Sequence, residues 1–504
     1  MNHTSRVGAG IRRLIPLLRT PLLGLALAGA SVSVRAEERG EHARRVLLLS
    51  VDGLHSLDLA NYVASHPNST LARLAKNGAT YTSASTSKPS DSYPGMLSMA
   101  TGGSPVSTGV YYDDSYDRLL AAPGSDGSVR GTEVVYDETV DVDLDSLDAG
   151  GGIDPAKLPI DPSHGNKPVY PHQFLRVNTI FEVAKANGLR TAWSDKHPSY
   201  EILNGPSGKG LDDLFAPEIN SAANFTASVA LCEGYDDIKV AALLHEIDGF
   251  DHTGAKRVGT PSLFGMNFQA VSVGEKTVGY VDGSGTPTTG LADALDHTDR
   301  SIGMMVDELE KRGLLGSTTI ILTAKHGQSP IDLSQRLIVS SHIIPNLINS
   351  IEPGLAAQVT ADDVALIWLR DQSKTEIVAQ TLRDNKATAQ ISEVFAGEGV
   401  KNFFPDPLED SRSPDIVVVP NQGVIYTSPT ATKTAEHGGF AHDDVNVALV
   451  VSRPGMRPST IKTPVQTTQI APTILDLLGL DAEALEAVRM EKTRALPGLD
   501  LDLR

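Results

Sequence analysis

Val46-Leu47-Leu48-Leu49-Ser50-Val51 runs without a break into Asp52. Two further apolar runs end in the same way. Val240 to Ile247 leads into Asp248, with His252 at the fourth place beyond it, and Thr319-Ile320-Ile321-Leu322-Thr323-Ala324 leads into Lys325 and His326. Runs of this length and composition predict strands buried on both faces of a parallel sheet. Open α/β sheets hold their ligands beyond the carboxyl ends of such strands. Carboxylates and imidazoles recurring at that edge point to one polynuclear metal site assembled from distant parts of the chain.

The alternation of strand-like runs with helix-like stretches such as Leu291 to Leu309 and Gln466 to Leu478 predicts an α/β fold, a mostly parallel central sheet with helices on both faces. Two segments interrupt it. Residues 113–167 are rich in Asp, Gly and Pro with little periodicity, which predicts a loop-rich insertion. Residues 328–433 resume strand–helix–strand and predict a smaller α/β lobe.

Residues 1–36 read as a secretory signal peptide. Arg6, Arg12, Arg13 and Arg19 precede a small, apolar stretch from Pro21 to Val34, and Val34-Arg35-Ala36 suits cleavage. An exported mature chain, periplasmic or extracellular, is the expectation. No later segment approaches the roughly 20 apolar residues of a spanning helix. Removing five arginines and no acid takes the formal charge from −19 to −24. Such a chain is unsuited to polymeric nucleic acid or anionic membranes, which are bound by basic patches. A small phosphorylated substrate is compatible with it, because its charge can be met locally. The lone Cys232 cannot form an internal disulfide and reads as a small buried residue.

Ser92-Tyr93-Pro94-Gly95 opens a helix-like stretch, with Pro94 expected at the first helical position and Ser92 just ahead of it. Backbone N–H groups there favour an anion. A serine in that place, activated by a metal ion, is a nucleophile towards phosphorus. Ser90 is the alternative. Asp248 and His252 are spaced to reach one metal ion from a strand end and its turn. His437-Gly438 offers a third ligand, with nearby His442 as a competitor; two imidazoles and a carboxylate make a zinc shell with an open position.

Taken in order, Asp52, Ser92, Asp248-x-x-x-His252, Lys325-His326-Gly327 and His437-Gly438 resemble the alkaline phosphatase superfamily, and within it the type I phosphodiesterase/nucleotide pyrophosphatase family. The resemblance extends from Val46 to about Leu478, including Asp299 and Ile470-Ala471-Pro472-Thr473. It implies two metal ions, usually zinc: one held by Asp248, His252 and His437, the other by Asp52, His326 and Ser92. It implies in-line attack by Ser92 on phosphorus and a covalent phospho-enzyme, later hydrolysed.

Two residues depart from the family pattern. Lys325 stands where relatives carry a carboxylate ligand, so its ammonium either replaces part of the second ion's charge, holding phosphate or the serine alkoxide, or points away from a weakened site. Asp113 stands where relatives place an asparagine that donates to a phosphoryl oxygen; the options are a protonated carboxyl, a bound cation, or a pair with Arg118, Lys196 or a substrate amine. Lys196, after the apolar stretch Leu189 to Trp193, is a candidate phosphate contact. The alternatives carried forward are a phosphomonoesterase, a phosphonate or sulfate ester hydrolase of the same superfamily, and a catalytically degenerate metal-binding protein. Ser92-Tyr93-Pro94-Gly95-Met96 lacks the arginine that sulfatases place after their nucleophile.

Overall fold

The computed structural model describes residues 45–499; the leader expected over 1–36 lies outside the described residues. The main strands, in chain order, are β1 (Arg45–Val51), β2 (Gly78–Tyr81), β3 (Thr191–Ser194), β4 (Asp213–Phe215), β5 (Leu263–Phe268), β6 (Thr318–Thr323), β7 (Ala356–Ala361), β8 (Ala365–Leu369), β9 (Ile391–Ala396), β10 (Ile416–Pro420), β11 (Leu449–Ser452) and β12 (Ser459–Ile461). Eight of them form the central sheet in the order β12-β2-β11-β6-β1-β5-β3-β4. From β6 to β4 the strands are parallel, whereas β11 runs antiparallel to both β6 and β2. Every residue of β5 and β6 is buried, so both faces of the sheet are covered.

Register brings the strand ends level. Ser50 of β1 lies opposite Asn267 of β5 and Thr323 of β6, and Met266 lies opposite Ser194 of β3. Asp52, Gln269, Lys325 and Asp195 therefore emerge together at one edge. The Asp52 N–H donates to the Phe268 carbonyl and the Gly53 N–H to the His326 carbonyl, which extends the ladder past the strands.

The third strand beside β1 is not the one expected. Val240 to Ile247 forms the last turns of helix α2 (Val229–Ile247), capped by Ser228, whose side chain accepts from the Leu231 N–H. Val240, Leu243 and Ile247 recur at helical spacing on its buried side, and Ala241-Ala242-Leu243-Leu244 is a helix-favouring run. β5 takes the strand's place, and Asp248 becomes the residue at the end of a helix.

A second sheet, β7-β8-β10-β9, is antiparallel throughout and lies within residues 328–433. It has its own core, which includes Ile344, Ile367, Val378, Leu382 and Val418. In the 113–167 segment, Asp114–Asp117 pairs with Thr132–Val135. Tyr112 and Tyr116 pack with Leu366 and Trp368 from the opposite side of that sheet.

Candidate active site

Helix α1 (Ser92–Thr101) starts two residues earlier than its proline suggests. Asp91 is the N-cap, its carboxylate accepting from the Tyr93 N–H at 3.0 Å, and Ser92 is the first helical residue. Gly95 fixes where this turn lies: a methyl group there would overlap the Lys325 carbonyl, so only glycine lets α1 close on the chain leaving β6.

That contact sets Ser92 beside His326. Ser92 Oγ accepts from Lys196 Nζ at 3.0 Å and lies 3.3 Å from His326 Nε2. His326 Nδ1 is 3.0 Å from the Gly327 carbonyl oxygen, which can only accept. The proton is thus assigned to Nδ1, and the Nε2 lone pair faces the serine hydroxyl. Burial holds the imidazole below its usual pKa, with Lys196 and Lys325 adding to the effect and Asp52 opposing it. The direction of that shift favours the neutral ring. Asp52 Oδ2 stands 3.6 Å from the same Nε2, ready to stabilise the imidazolium.

Burial alone would raise the Asp52 carboxyl, but Lys325 and His326 outweigh it and hold it well below the carboxylate range. Oδ2 accepts from Gln269 Nε2 at 2.6 Å and Asn267 Nδ2 at 3.1 Å. Lys325 is fully buried, 3.4 Å from Asp52 Oδ2 and 3.3 Å from Asp195 Oδ1, and donates to the Tyr200 hydroxyl at 2.8 Å. Of the two roles open to it, the geometry favours a fixed cation inside the site over one directed away.

Asp248 and His252 are not part of this group. Asp248 is partly exposed and pairs with Arg312 at 2.6 Å. His252 pairs with Asp213 at 2.6 Å and stacks on Phe215, at the β4 side of the sheet. Their expected pairing with His437 is corrected, because the run that was to deliver them is helical. His437 does reach the site, its ring centroid 3.9 Å from that of His326. Burial and the neighbouring His326 keep it neutral. Ser90 instead accepts from the Gly438 N–H at 3.2 Å, holding the His437 loop, and His442 is 81% exposed.

Asp113 lies half-buried near Asp91 and Lys196. Burial and the Asp91 carboxylate push its carboxyl well above the usual range against the pull of Lys196. Of the options above, a protonated acid, able to donate a hydrogen bond as an amide does, is the one this environment favours. Arg118 is engaged elsewhere, with Asp415 at 2.6 Å.

The two-ion complement implied by the family does not fit these donors. The strand end beside Asp52 carries Asn267, with Val271 four places on, so no carboxylate–imidazole pair of that spacing stands there. Asn267 and Gln269 spend their amide hydrogens on Asp52, and Lys325 stands where a further carboxylate would. His437 Nδ1 and Asp91 Oδ1, both buried without hydrogen-bond partners among the described residues, face each other at 3.8 Å. These two donors fall short of the three a catalytic zinc takes from protein; Asp52, Ser92 and His326, the set implied for the other ion, do come together, with the Lys325 ammonium 3.4 Å from Asp52 Oδ2 in their midst. Among the described residues, groups of three acidic or imidazole ligands occur elsewhere: at His55, Asp58 and Glu275, and at Glu138, His197 and Glu218.

A cavity of about 650 Å³ opens beside the site, lined by Lys196, Gln269, Lys276, Lys433 and His437 among others. Lys276 and Lys433 both pair with buried Glu436. Asp91, Asp195, Tyr200, Asn267, Gln269, Lys276 and Lys433 were not singled out as site residues from sequence. The usable signal was Leu263 to Phe268, a second apolar run ending in amide side chains.

A family model for type I phosphodiesterase / nucleotide pyrophosphatase matches residues 46–443. The chain belongs to that family. Its members are hydrolases of phosphate esters and depend on metal ions. Among solved structures, the chain is similar to murine ectonucleotide pyrophosphatase / phosphodiesterase 5, with a TM-score of 0.59 and 15% identity over 87% of this chain and 96% of that one. An inactive variant of the murine protein in complex with AMP matches equally, at a TM-score of 0.59 and 15% identity, with the same coverage of both chains. Wild-type alkaline phosphatase PafA matches with a TM-score of 0.61 and 14% identity over 87% and 96% of the two chains. At these identities the likeness establishes the fold, an alkaline phosphatase-like α/β architecture. A comparison with curated proteins finds no match.

Proposed function

We propose that the chain is an exported hydrolase of phosphate esters in which Ser92 is the nucleophile and side-chain cations do the work of the family's metal ions. One observation carries the reading: the Ser92 hydroxyl sits between Lys196 Nζ at 3.0 Å and the lone pair of neutral His326 at 3.3 Å. Ser92 Oγ forms the bond to phosphorus as the bond to the leaving ester oxygen breaks. The hydroxyl proton passes to His326 Nε2, and Asp52 stabilises the resulting imidazolium. Lys196 and the first turn of α1 stabilise the phosphoryl oxygens, and protonated Asp113 donates to them. Water then attacks the phosphoserine from the side the leaving group vacated, giving its proton to solvent, and the His326 imidazolium returns its proton to Ser92 Oγ as that bond to phosphorus breaks. The leaving oxygen is protonated by solvent.

Phosphodiesters and nucleotide pyrophosphates are the proposed substrates. The cavity has the volume of a small-ligand site, and Lys196, Lys276 and Lys433 supply positive charge within an acidic chain. The AMP in complex with the inactive murine variant is a phosphate monoester, the kind of product that hydrolysis of a nucleotide pyrophosphate releases. Segments 113–167 and 328–433 are proposed as the insertion and lobe that shape the leaving-group pocket. No described helix is long and apolar enough to cross a membrane; export itself rests on the reading of residues 1–36.

The test is nitrophenol release from bis-p-nitrophenyl and p-nitrophenyl phosphate. Turnover of the diester, lost in Ser92→Ala, supports the reading. A monoester preference would favour the phosphomonoesterase. The replacement of ligands by Lys325, Asn267 and Val271 favours one other reading, a binding protein; phosphate-ester binding without turnover of either substrate would establish it.

A further inference from the structure

One residue beyond Lys196 the chain carries His197, whose ring is buried. Its Nδ1 lies 2.8 and 2.9 Å from the two carboxylate oxygens of Glu218. Glu138, from the 113–167 segment, completes a group whose ligating atoms all lie within 4.8 Å of one another. Glu218 is fully buried, and its Oε1 also accepts from the Asn220 N–H at 2.8 Å.

The independent observation is Asp141. It is 0% exposed, no donor other than a shared acid proton reaches its carboxylate oxygens, and it faces the Glu218 carboxyl. Lys157 bonds to the Asp141 backbone carbonyl rather than to its side chain. Lys157 and Lys196 are the cations that act on the group, against the further negative charges of Asp137 and Asp195. Burial and the Glu218 carboxyl push the Asp141 carboxyl up to about 8, burial and Glu138 push Glu218 up to about 7, and burial keeps His197 neutral. Asp141 and Glu218 bring two buried acids together, which without an ion share a proton, while the His197 Nδ1–H donates to Glu218. Crowding two acids in one buried place is costly, and a divalent ion that displaces those protons removes the cost.

We propose that Glu138, Asp141, His197 and Glu218 form a binding site for one divalent transition-metal ion of the zinc or manganese type. The imidazole disfavours calcium and magnesium, and the three carboxylates disfavour copper(I). The 2.8 and 2.9 Å between His197 Nδ1 and the Glu218 oxygens are close to the roughly 3.0 Å edge of an octahedral shell with bonds of about 2.1 Å. The ion joins the 113–167 segment, through Glu138 and Asp141, to the chain on either side of β4, through His197 and Glu218. The Ile219 N–H already donates to the Lys196 carbonyl across the same junction. The site is therefore structural, steadying the backbone that carries Lys196, and the proposal does not depend on turnover at Ser92.

The experiment is calorimetric titration of the chelator-treated, dialysed full chain with Zn²⁺ and with Mn²⁺, alongside elemental analysis and thermal melts. The expected result is one ion per chain and a higher Tm on binding. Asp141→Asn and Glu218→Gln should each weaken affinity at least tenfold and abolish the rise in Tm, while Asp52→Asn leaves the stoichiometry at one. Circular dichroism identifies a variant that fails to fold; because Asp141→Asn relieves a repulsion, it keeps the test open if Glu218→Gln does not fold. No binding below millimolar metal, or affinity unchanged in both variants, would overturn the proposal. Binding lost in Asp52→Asn but kept in Asp141→Asn and Glu218→Gln would also overturn it, by putting the ion beside Ser92.

Discussion

Lys325 Nζ is held between Asp52 Oδ2 at 3.4 Å and Asp195 Oδ1 at 3.3 Å, and all three side chains are excluded from solvent. A single ammonium thus balances two buried carboxylates at the edge of the sheet. Removing it leaves charge with no partner in a medium that solvates charge poorly. Lys325→Met should lower stability by about 3–5 kcal/mol. Chemical denaturation checks this, and a loss under about 1 kcal/mol would mean that water or another cation reaches the carboxylates.

Asp248 and His252 are engaged with Arg312 and Asp213. Asp248→Asn and His252→Ala should leave kcat/KM within about threefold of the parent, the range of an exposed or edge pair. Lys196→Ala should reduce it by about 10²–10³, as loss of a donor to developing charge does. Parallel kinetics on the three variants separate the site described here from the ligand set implied by the family pattern.

The pH profile follows from two shifts of opposite direction. His326 acts as base only when neutral, and its pKa is depressed. The acid limb of kcat/KM should therefore fall below the ordinary imidazole range near 6.5. Asp113 donates only when protonated, and its pKa is raised, so activity should decline as pH rises through that raised value. Asp113→Asn donates at every pH and should abolish the alkaline limb while keeping the acid one. An alkaline limb unchanged in the variant would remove Asp113 from the account.

Gly95 allows α1 to lie against the Lys325 carbonyl. Gly95→Ala should cost about 1–3 kcal/mol, as overpacking does. Because the displaced turn carries Ser92, kcat should fall with stability. A thermal melt and steady-state kinetics on the same preparation test both.

Much of this arrangement was legible in the sequence. Val46 to Val51 and Thr319 to Thr323 are β-branched or leucine-rich, bounded, and end in charged side chains, and both are central strands that deliver Asp52, Lys325 and His326. Val240 to Ile247 misled because a short apolar run has no period of its own; only the stripe continued from Tyr235 and the Ser228 cap mark it as helix. The true strand, Leu263 to Phe268, is obscured by Gly265 and Asn267. Gly265 is there because the Trp193 ring and the Leu48 carbonyl leave no room for a side chain. Asn267 faces Asp52. Which amides and lysines had replaced ligands depended on that register, and so could not be read before the sheet order was known.

The central claim is that Ser92 attacks phosphorus with His326 as base and without a metal ion beside it. Incubation of the chelator-treated enzyme with bis-p-nitrophenyl phosphate, followed by acid quench and peptide mass spectrometry, tests it most directly. The account predicts a phosphoryl ester on Ser92, present in the parent, absent in Ser92→Ala, and formed at least tenfold more slowly in His326→Ala. Turnover with no label on Ser92, or labelling that appears only when zinc is restored and is blocked by Asp52→Asn, would contradict it.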